Sequence, residues 1–371
     1  MKLLLCALLL VAGASALKRQ TDFLDAFPES WYEEAKNAKD DGLPDIPHFL
    51  DADEDLSQYF GDSLMATGRG NKNVLEVAAE NGATIFVKAA KLVGLEDELS
   101  NTNNITVFIP TNRAFLRLDK LIYLYFLRYP MRLRALIQYH MINGSFRLDK
   151  LKDDRSYNTR LRNLTARYDV YGHDHSNRTT HVIQGAHINC EQRDMDASNG
   201  VVHFIDDVIQ RISYFSSYKA LSGCPQFSTL FDGLAVAGLT DKLKNGSLTI
   251  LAPTEKAFRR LPEGVWEKLI KDKSALTAVL SMHVLNKTYF ARGFRDNDVL
   301  PSLNKQSTVT VHVRGDRTGK EANCRNCRYE VFVNEAKIVY FDGVTTSGII
   351  HAIDRVMIPK GLLEELTGET V

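Results

Sequence analysis

The chain repeats itself, and that constrains its fold more than any other feature of the sequence. Residues 105–115 (ITVFIPTNRAF) return as residues 248–258 (LTILAPTEKAF), 143 positions later. Tyr139-His140-Met141-Ile142-Asn143 returns as Met282-His283-Val284-Leu285-Asn286 at the same offset. Residues 200–206 (GVVHFID) return as residues 348–354 (GIIHAID), now 148 positions on. Three landmarks in one order mean a duplicated unit of ordinary domain size, which must bury its own core twice over. The copies are placed at 70–213 and 214–362, with 363–371 as a short polar tail.

Each copy reads as a mixed fold. Phe86, Ala89, Ala90 and Val93 have helical spacing before Gly94, as do Phe227, Leu230, Phe231 and Leu234 before Gly238. A short apolar strand follows, ending at Pro110 or Pro253, since proline cannot donate to a continuing ladder. Pro-Thr then opens a short helix with Ala114 and Phe115, or Ala257 and Phe258, facing inward. Val309, Val311 and Val313 share one face of a strand, and Tyr329, Val331 and Val333 one face of another. The Gly-Val-Val-His and Gly-Ile-Ile-His segments read as buried strands. The fold class is α+β: helices packed on a mostly β core.

Residues 1–16 read as a secretory signal peptide. Lys2 gives the positive start, Leu3 to Val11 the apolar run, and Ala14-Ser15-Ala16 the small-residue cleavage site. Residues 17–69 hold thirteen Asp or Glu against five Lys or Arg and read as an acidic, mostly extended arm. No apolar stretch approaches the length of a bilayer span, and residues 361–371 lack the hydrophobic tail of a lipid-anchor signal. The expected location is therefore the extracellular space or matrix. The formal net charge of +0 gives no reason to expect a nucleic-acid partner.

Cysteine and asparagine usage fit secretion. Cys6 lies in the signal peptide, leaving Cys190, Cys224, Cys324 and Cys327 as disulfide candidates. Four cysteines allow three pairings; Cys324 and Cys327 could close a small loop or pair with Cys190 or Cys224. Six Asn-x-Ser/Thr sequons begin at Asn104, Asn143, Asn163, Asn177, Asn245 and Asn286. Asn143 and Asn286 take the same place in both copies, so glycans there would shield one face of each domain.

The strand-Pro-Thr-x-x-Ala-Phe motif, the central Tyr-His motif and the Gly-Val-Val-His-x-Ile-Asp motif together resemble the fasciclin-type domain. The resemblance spans both copies. It implies two tandem β-rich wedges or sandwiches with several packed helices, extracellular adhesion as the usual role, and no active site. Integrin-type receptors, or matrix proteins such as collagen, are the partners it implies. In that family the Tyr-His region has been linked to integrin binding, which points to Tyr139 and His140; the second copy departs, with Met282 in place of the Tyr.

Arg314-Gly315-Asp316 is the sharpest single feature. Such a tripeptide presents a cation and a carboxylate at opposite ends of a tight turn. In an integrin the carboxylate would complete a hard-cation coordination sphere, and the guanidinium would pair with acidic groups. It follows an alternating strand and opens a long polar loop, 314–328, where the first copy has a shorter one (172–178).

His140, His283, His203 and His351 recur at matching places in apolar surroundings, which favours buried imidazoles bonded to the backbone over ligands. Asp206 and Asp354 are expected to fix the end of the last strand. His173-Asp174-His175 lacks further ligands at defined spacing, so no metal and no cofactor is assigned. Arg128, Arg132 and Arg134 could meet sulfated glycans, against the plainer reading of a solvated helix face. There is no Gly-x-Ser-x-Gly elbow, no His-Glu-x-x-His and no phosphate-cradling glycine loop, so no enzyme is expected. The alternative to adhesion is a secreted carrier of a small apolar or glycan ligand.

Overall fold

A computed structural model describes residues 72–118, 122, 126, 129–172, 179–209, 215–315 and 330–368. The expected signal peptide and acidic arm lie outside these residues. The described residues fall into two compact units, 72–209 and 215–368.

In the first unit, α1 (Val74–Glu80) starts from a capping box. The Asn73 side chain accepts from the Leu75 and Glu76 amides, and the Glu76 carboxylate accepts from the Asn73 amide. Helices α2 (Thr84–Leu92) and α3 (Glu96–Asn101) follow. Strand β1 (Ile105–Pro110) gives way to α4 (Asn112–Leu116), whose N-cap is Thr111. Helix α5 (Pro130–Tyr139) leads into β2 (Met141–Asn143). Strands β3 (Arg155–Asn158), β4 (Thr165–Tyr171), β5 (Thr180–Ile183) and β6 (Ala186–His187) form one sheet in that order. Strands β7 (Met195–Ala197) and β8 (Gly200–Ile205) complete the other, ordered β2-β1-β8-β7.

The second unit repeats the plan. It holds α6 (Ser217–Gly223), α7 (Ser228–Val236), β9 (Leu248–Pro253), α8 (Glu255–Phe258), α9 (Val265–Lys271), α10 (Lys273–Met282) and β10 (Val284–Leu285). Strands β11 (Val299–Leu300), β12 (Val309–Arg314), β13 (Glu330–Val333), β14 (Ala336–Thr345) and β15 (Gly348–Ile353) follow. Its described strands join one sheet, ordered β10-β9-β15-β14-β13-β12-β11. Strand β14 runs continuously, with two register shifts, where the first unit has the separate strands β6 and β7.

In each unit the repeated first and last strands lie side by side and parallel: Ile105 to Pro110 against Gly200 to Ile205, and Leu248 to Pro253 against Gly348 to Ile353. Both faces of this pair are covered. Ile105, Val107 and Ile109 join a core with Phe86, Leu95 and Leu136, while Phe108 joins one with Tyr168, Ile183 and Ile205. Likewise Ile250 and Ala252 pack with Leu230 and Leu276, and Leu251 packs with Val311, Val331 and Val333. Double coverage explains why these strands read as continuous apolar runs. The architecture is α+β, as expected.

The drift from 143 to 148 has two sources. Eight residues separate the paired Tyr171 and Thr180, but fifteen separate Arg314 and Glu330. Against that gain, the stretch from Ala186 to Ala197 is two residues longer than its counterpart from Ala336 to Thr345.

Helix α11 (Lys360–Thr367) runs past the boundary expected at 362. Leu362, Leu363 and Leu366 are half-buried against the core of the second unit, and Lys268 Nζ donates to the Leu366 carbonyl at 2.6 Å. The polar, acidic look of residues 363–368 belongs to the exposed side of an amphipathic turn.

Candidate functional site

The β12–β13 hairpin carries the first two residues of the sequence's sharpest motif. Val309 and Val311 are buried with Val331 and Val333, so His312 and Arg314 fall on the opposite, exposed face. Outside β12 the segment 296–298 holds the strand: Val311 N donates to the Asp298 carbonyl at 2.8 Å, and Val313 N to Asp296 Oδ1 at 2.8 Å. Arg314 is the last residue of β12 and pairs with Glu330. Its guanidinium lies over the ring of Phe332, 4.6 Å from the centroid, the diagonal neighbour across the ladder. Glu330 is in turn ion-paired with Lys337. Gly315 is exposed at φ +98, a conformation that favours glycine. Asp316, Cys324 and Cys327 lie outside the described residues.

Tyr139 and His140 are brought together at the end of α5, but inside the core. Tyr139 is buried and its hydroxyl donates to the Thr165 carbonyl at 2.9 Å. His140 Nε2 accepts from Ile209 N at 3.0 Å, which fixes the proton on Nδ1, the atom 2.8 Å from the Leu136 carbonyl. His283 repeats this with Met357 N at 3.0 Å and the Val279 carbonyl at 2.9 Å. Burial without a charge partner lowers both imidazole pKa values to about 4. In the folded domain neither Tyr139 nor His140 presents its side chain to a partner. The His140 ring, which the family resemblance links to a receptor, is a tie between α5 and the chain after β8, in keeping with its apolar surroundings in the sequence.

The second histidine pair is equally internal, with the opposite tautomer. His203 Nδ1 accepts from Asp194 N at 3.1 Å, and its Nε2 lies 2.8 Å from the Phe146 carbonyl. His351 Nδ1 accepts from Asp342 N at 3.2 Å, with Nε2 2.7 Å from the Tyr289 carbonyl. Burial also lowers the pKa of His203. Asp206 and Asp354 receive the amides of His187 and Lys337 at 3.0 and 2.8 Å.

Sequence reasoning missed two positions that do the same work with different side chains. Asn112 Oδ1 accepts from Ile85 N at 3.0 Å, and 143 residues later Glu255 Oε1 accepts from Thr229 N at 2.7 Å; each holds the start of a helix. Asn199 Oδ1 accepts from Val74 N at 2.9 Å, and Ser347 Oγ accepts from Ser217 N at 2.9 Å. The offsets alone could have aligned them.

Of the remaining candidates, Arg134 donates to the Val93 and Gly94 carbonyls at 2.7 and 3.1 Å, closing α2 rather than facing a sulfate; Arg132 is exposed and Arg128 lies outside the described residues. Cys224 is buried and disulfide-bonded, whereas Cys190, in the segment between β6 and β7, is a free thiol. Asn104, Asn143, Asn163, Asn245 and Asn286 are exposed; Asn177 and the His173–His175 cluster lie outside the described residues. Among the described residues no group of three His, Cys, Asp or Glu could hold a metal, and no helix is long and apolar enough to cross a membrane.

Comparison with known proteins places these features in a family. The profile of the fasciclin domain matches residues 81–211 and 225–359. The chain is 28% identical to human periostin over 298 residues, which is 78% of this chain and 32% of periostin. It is 27% identical to pig transforming growth factor-beta-induced protein ig-h3 over 288 residues, 74% of this chain and 38% of that protein. It thus spans about a third of the length of these curated relatives. A solved FAS1 domain pair from the insect cell adhesion molecule fasciclin I aligns at 21% identity with a TM-score of 0.37, covering 76% of this chain and 99% of that one.

Proposed function

The chain belongs to the fasciclin-domain family, with two copies of the domain in tandem, and from that premise we propose that it is a secreted adhesion protein. It binds cell-surface receptors of the integrin type through Arg314-Gly315-Asp316, or matrix components such as collagen. Residues 1–16 direct it out of the cell, and it works by binding rather than catalysis.

The observation that carries this reading is the hairpin itself. Relative to the first unit, the second has seven more residues between the paired ends of these strands, and the motif begins at the last residue of β12. Arg314 and Gly315 are exposed there. Loops carried on a rigid sheet are where binding residues concentrate. Asp316 would donate a carboxylate oxygen to a receptor-bound divalent cation, and Arg314 would leave Phe332 to pair with acidic groups.

The test is attachment of integrin-bearing cells to the purified protein, wild type against Asp316→Glu, with and without a chelator. Glu keeps the charge but displaces the carboxylate by one methylene. Loss of attachment in the variant and in chelator is the expected result. Equal attachment by both proteins sinks the motif, and attachment by neither removes the receptor reading.

A further inference from the structure

Four of the six sequons gather at matching ends of the two units' first strands. Asn104 immediately precedes β1, and Asn143 ends β2, opposite Ile105. The two strands close around them: Gly144 N donates to the Asn104 carbonyl and Ser145 N to Asn104 Oδ1, both at 2.8 Å. Asn104 and Asn143 are therefore neighbours at one corner, although 39 residues apart in the chain. In the second unit the same end of the equivalent strand pair carries the other two. Asn245 lies three residues before β9, and Asn286 directly follows Leu285, which pairs with Thr249. All four asparagines are exposed.

The geometry points to paired glycans: each copy carries two N-linked oligosaccharides at one shared corner, Asn104 with Asn143 and Asn245 with Asn286. This rests on the secretory reading above. In each transfer the Asn Nδ2 loses a proton and bonds to C1 of the first sugar. The lipid diphosphate of a lipid-linked oligosaccharide donor is the leaving group. An N-glycosylated asparagine keeps its Oδ1 as an acceptor, so the bond from Ser145 to Asn104 survives the modification.

The order of events is also built in. A sequon is read together with its hydroxyl residue, and two of these hydroxyls vanish on folding. Thr106 is fully buried, donating to the Gly144 carbonyl at 2.6 Å and accepting from Phe146 N at 2.8 Å; Thr288 is fully buried as well. Ser145 is exposed and Ser247 half-exposed. Asn104 and Asn286 are thus modified only before their sheets form, while Asn143 and Asn245 stay available afterwards. Strands β2 and β10 come last in their sheets' order, with residues 159–160 and 301–303 bonded along their outer sides. Glycans at that corner keep protein partners away from it.

Two experiments test this. Full-length protein secreted by a eukaryotic cell line is treated with peptide N-glycosidase in 18O-water, and each site is read by mass spectrometry. Labelled aspartate is expected at positions 104, 143, 245 and 286. A secreted protein bare at either member of a pair overturns the pairing and leaves the secretory reading standing. A chain that never leaves the cytosol overturns both. In the second experiment, folded full-length protein from a bacterial periplasm is offered to oligosaccharyltransferase with its lipid-linked donor, beside peptides spanning 100–110 and 282–292. The peptides should be modified, and of these four sites the folded protein should be modified at Asn143 and Asn245 only. Transfer to Asn104 or Asn286 in the folded chain overturns the order.

Discussion

His283 Nε2 accepts a hydrogen bond from the backbone N–H of Met357 at 3.0 Å, tying the end of α10 to a residue 74 positions further along the chain. His140 and Ile209 repeat the tie across 69 positions. Each ring also lies against a carbonyl four residues back, so neither imidazole can take a second proton without losing its acceptor role.

These rings make stability depend on pH in a stated direction. Their pKa falls from the ordinary 6.5 to about 4 in the fold. Below pH 6.5 the unfolded chain binds protons that the folded chain refuses. Stability is therefore full above pH 6.5, falls as pH drops toward about 4, and changes no further through these groups below that. At pH 5 the loss is about 2 kcal/mol per unit. Denaturant midpoints at pH 7.5 and pH 5 measure it, and NMR of the ring protons should show neither histidine titrating above pH 5.

Tyr139→Phe separates a core role from a receptor role. It removes one buried hydrogen bond, to the Thr165 carbonyl, and should cost about 1 kcal/mol of stability in the first unit. Cell attachment should not change. Lost attachment at full stability would restore Tyr139 as a contact residue.

Phe332→Ala releases Arg314. An exposed cation–π contact is worth about 0.5–1 kcal/mol, and a receptor that takes the guanidinium must first break it. Removing the ring should tighten attachment through the motif by about two- to fivefold, read as a shift in the coating concentration for half-maximal attachment. Weaker attachment would mean that Phe332 itself meets the receptor.

Gly348→Ala should be far more damaging than its size suggests. A methyl there would sit 2.0 Å from the Leu248 carbonyl oxygen, and Gly200 has the same relation to Ile105. Separating β15 from β9 at that point should cost about 3 kcal/mol. Calorimetry should show the transition of the second unit lowered and that of the first unmoved. Equal lowering of both would contradict two independent cores.

Much of this was legible in sequence because it depends on periodicity. The valines of β12 and β13 declared their buried face, and Phe86, Ala89 and Ala90 declared the inner side of α2. Duplication gave the histidines away as internal, since a ring needed twice in one fold is serving the fold. What stayed hidden depends on partners distant in the chain. Nothing near Tyr139 announces Thr165, and nothing near Arg134 announces the Val93 and Gly94 carbonyls. The repeat aligns Asn112 with Glu255, but unlike side chains gave no sign that both hold the start of a helix. Leu363 and Leu366 of α11 read as tail because their core lies on α9, nearly a hundred residues earlier.

The placement of β8 and β15 has a consequence for synthesis. Each is the last strand of its copy to be made, yet each lies in the interior of its sheet, between β1 and β7 or between β9 and β14. A copy still emerging from the ribosome therefore has a gap in its middle rather than at its rim. Neither sheet can close until almost the whole copy has been translated. The first copy, once its final strand is out, can close while the second is still being made.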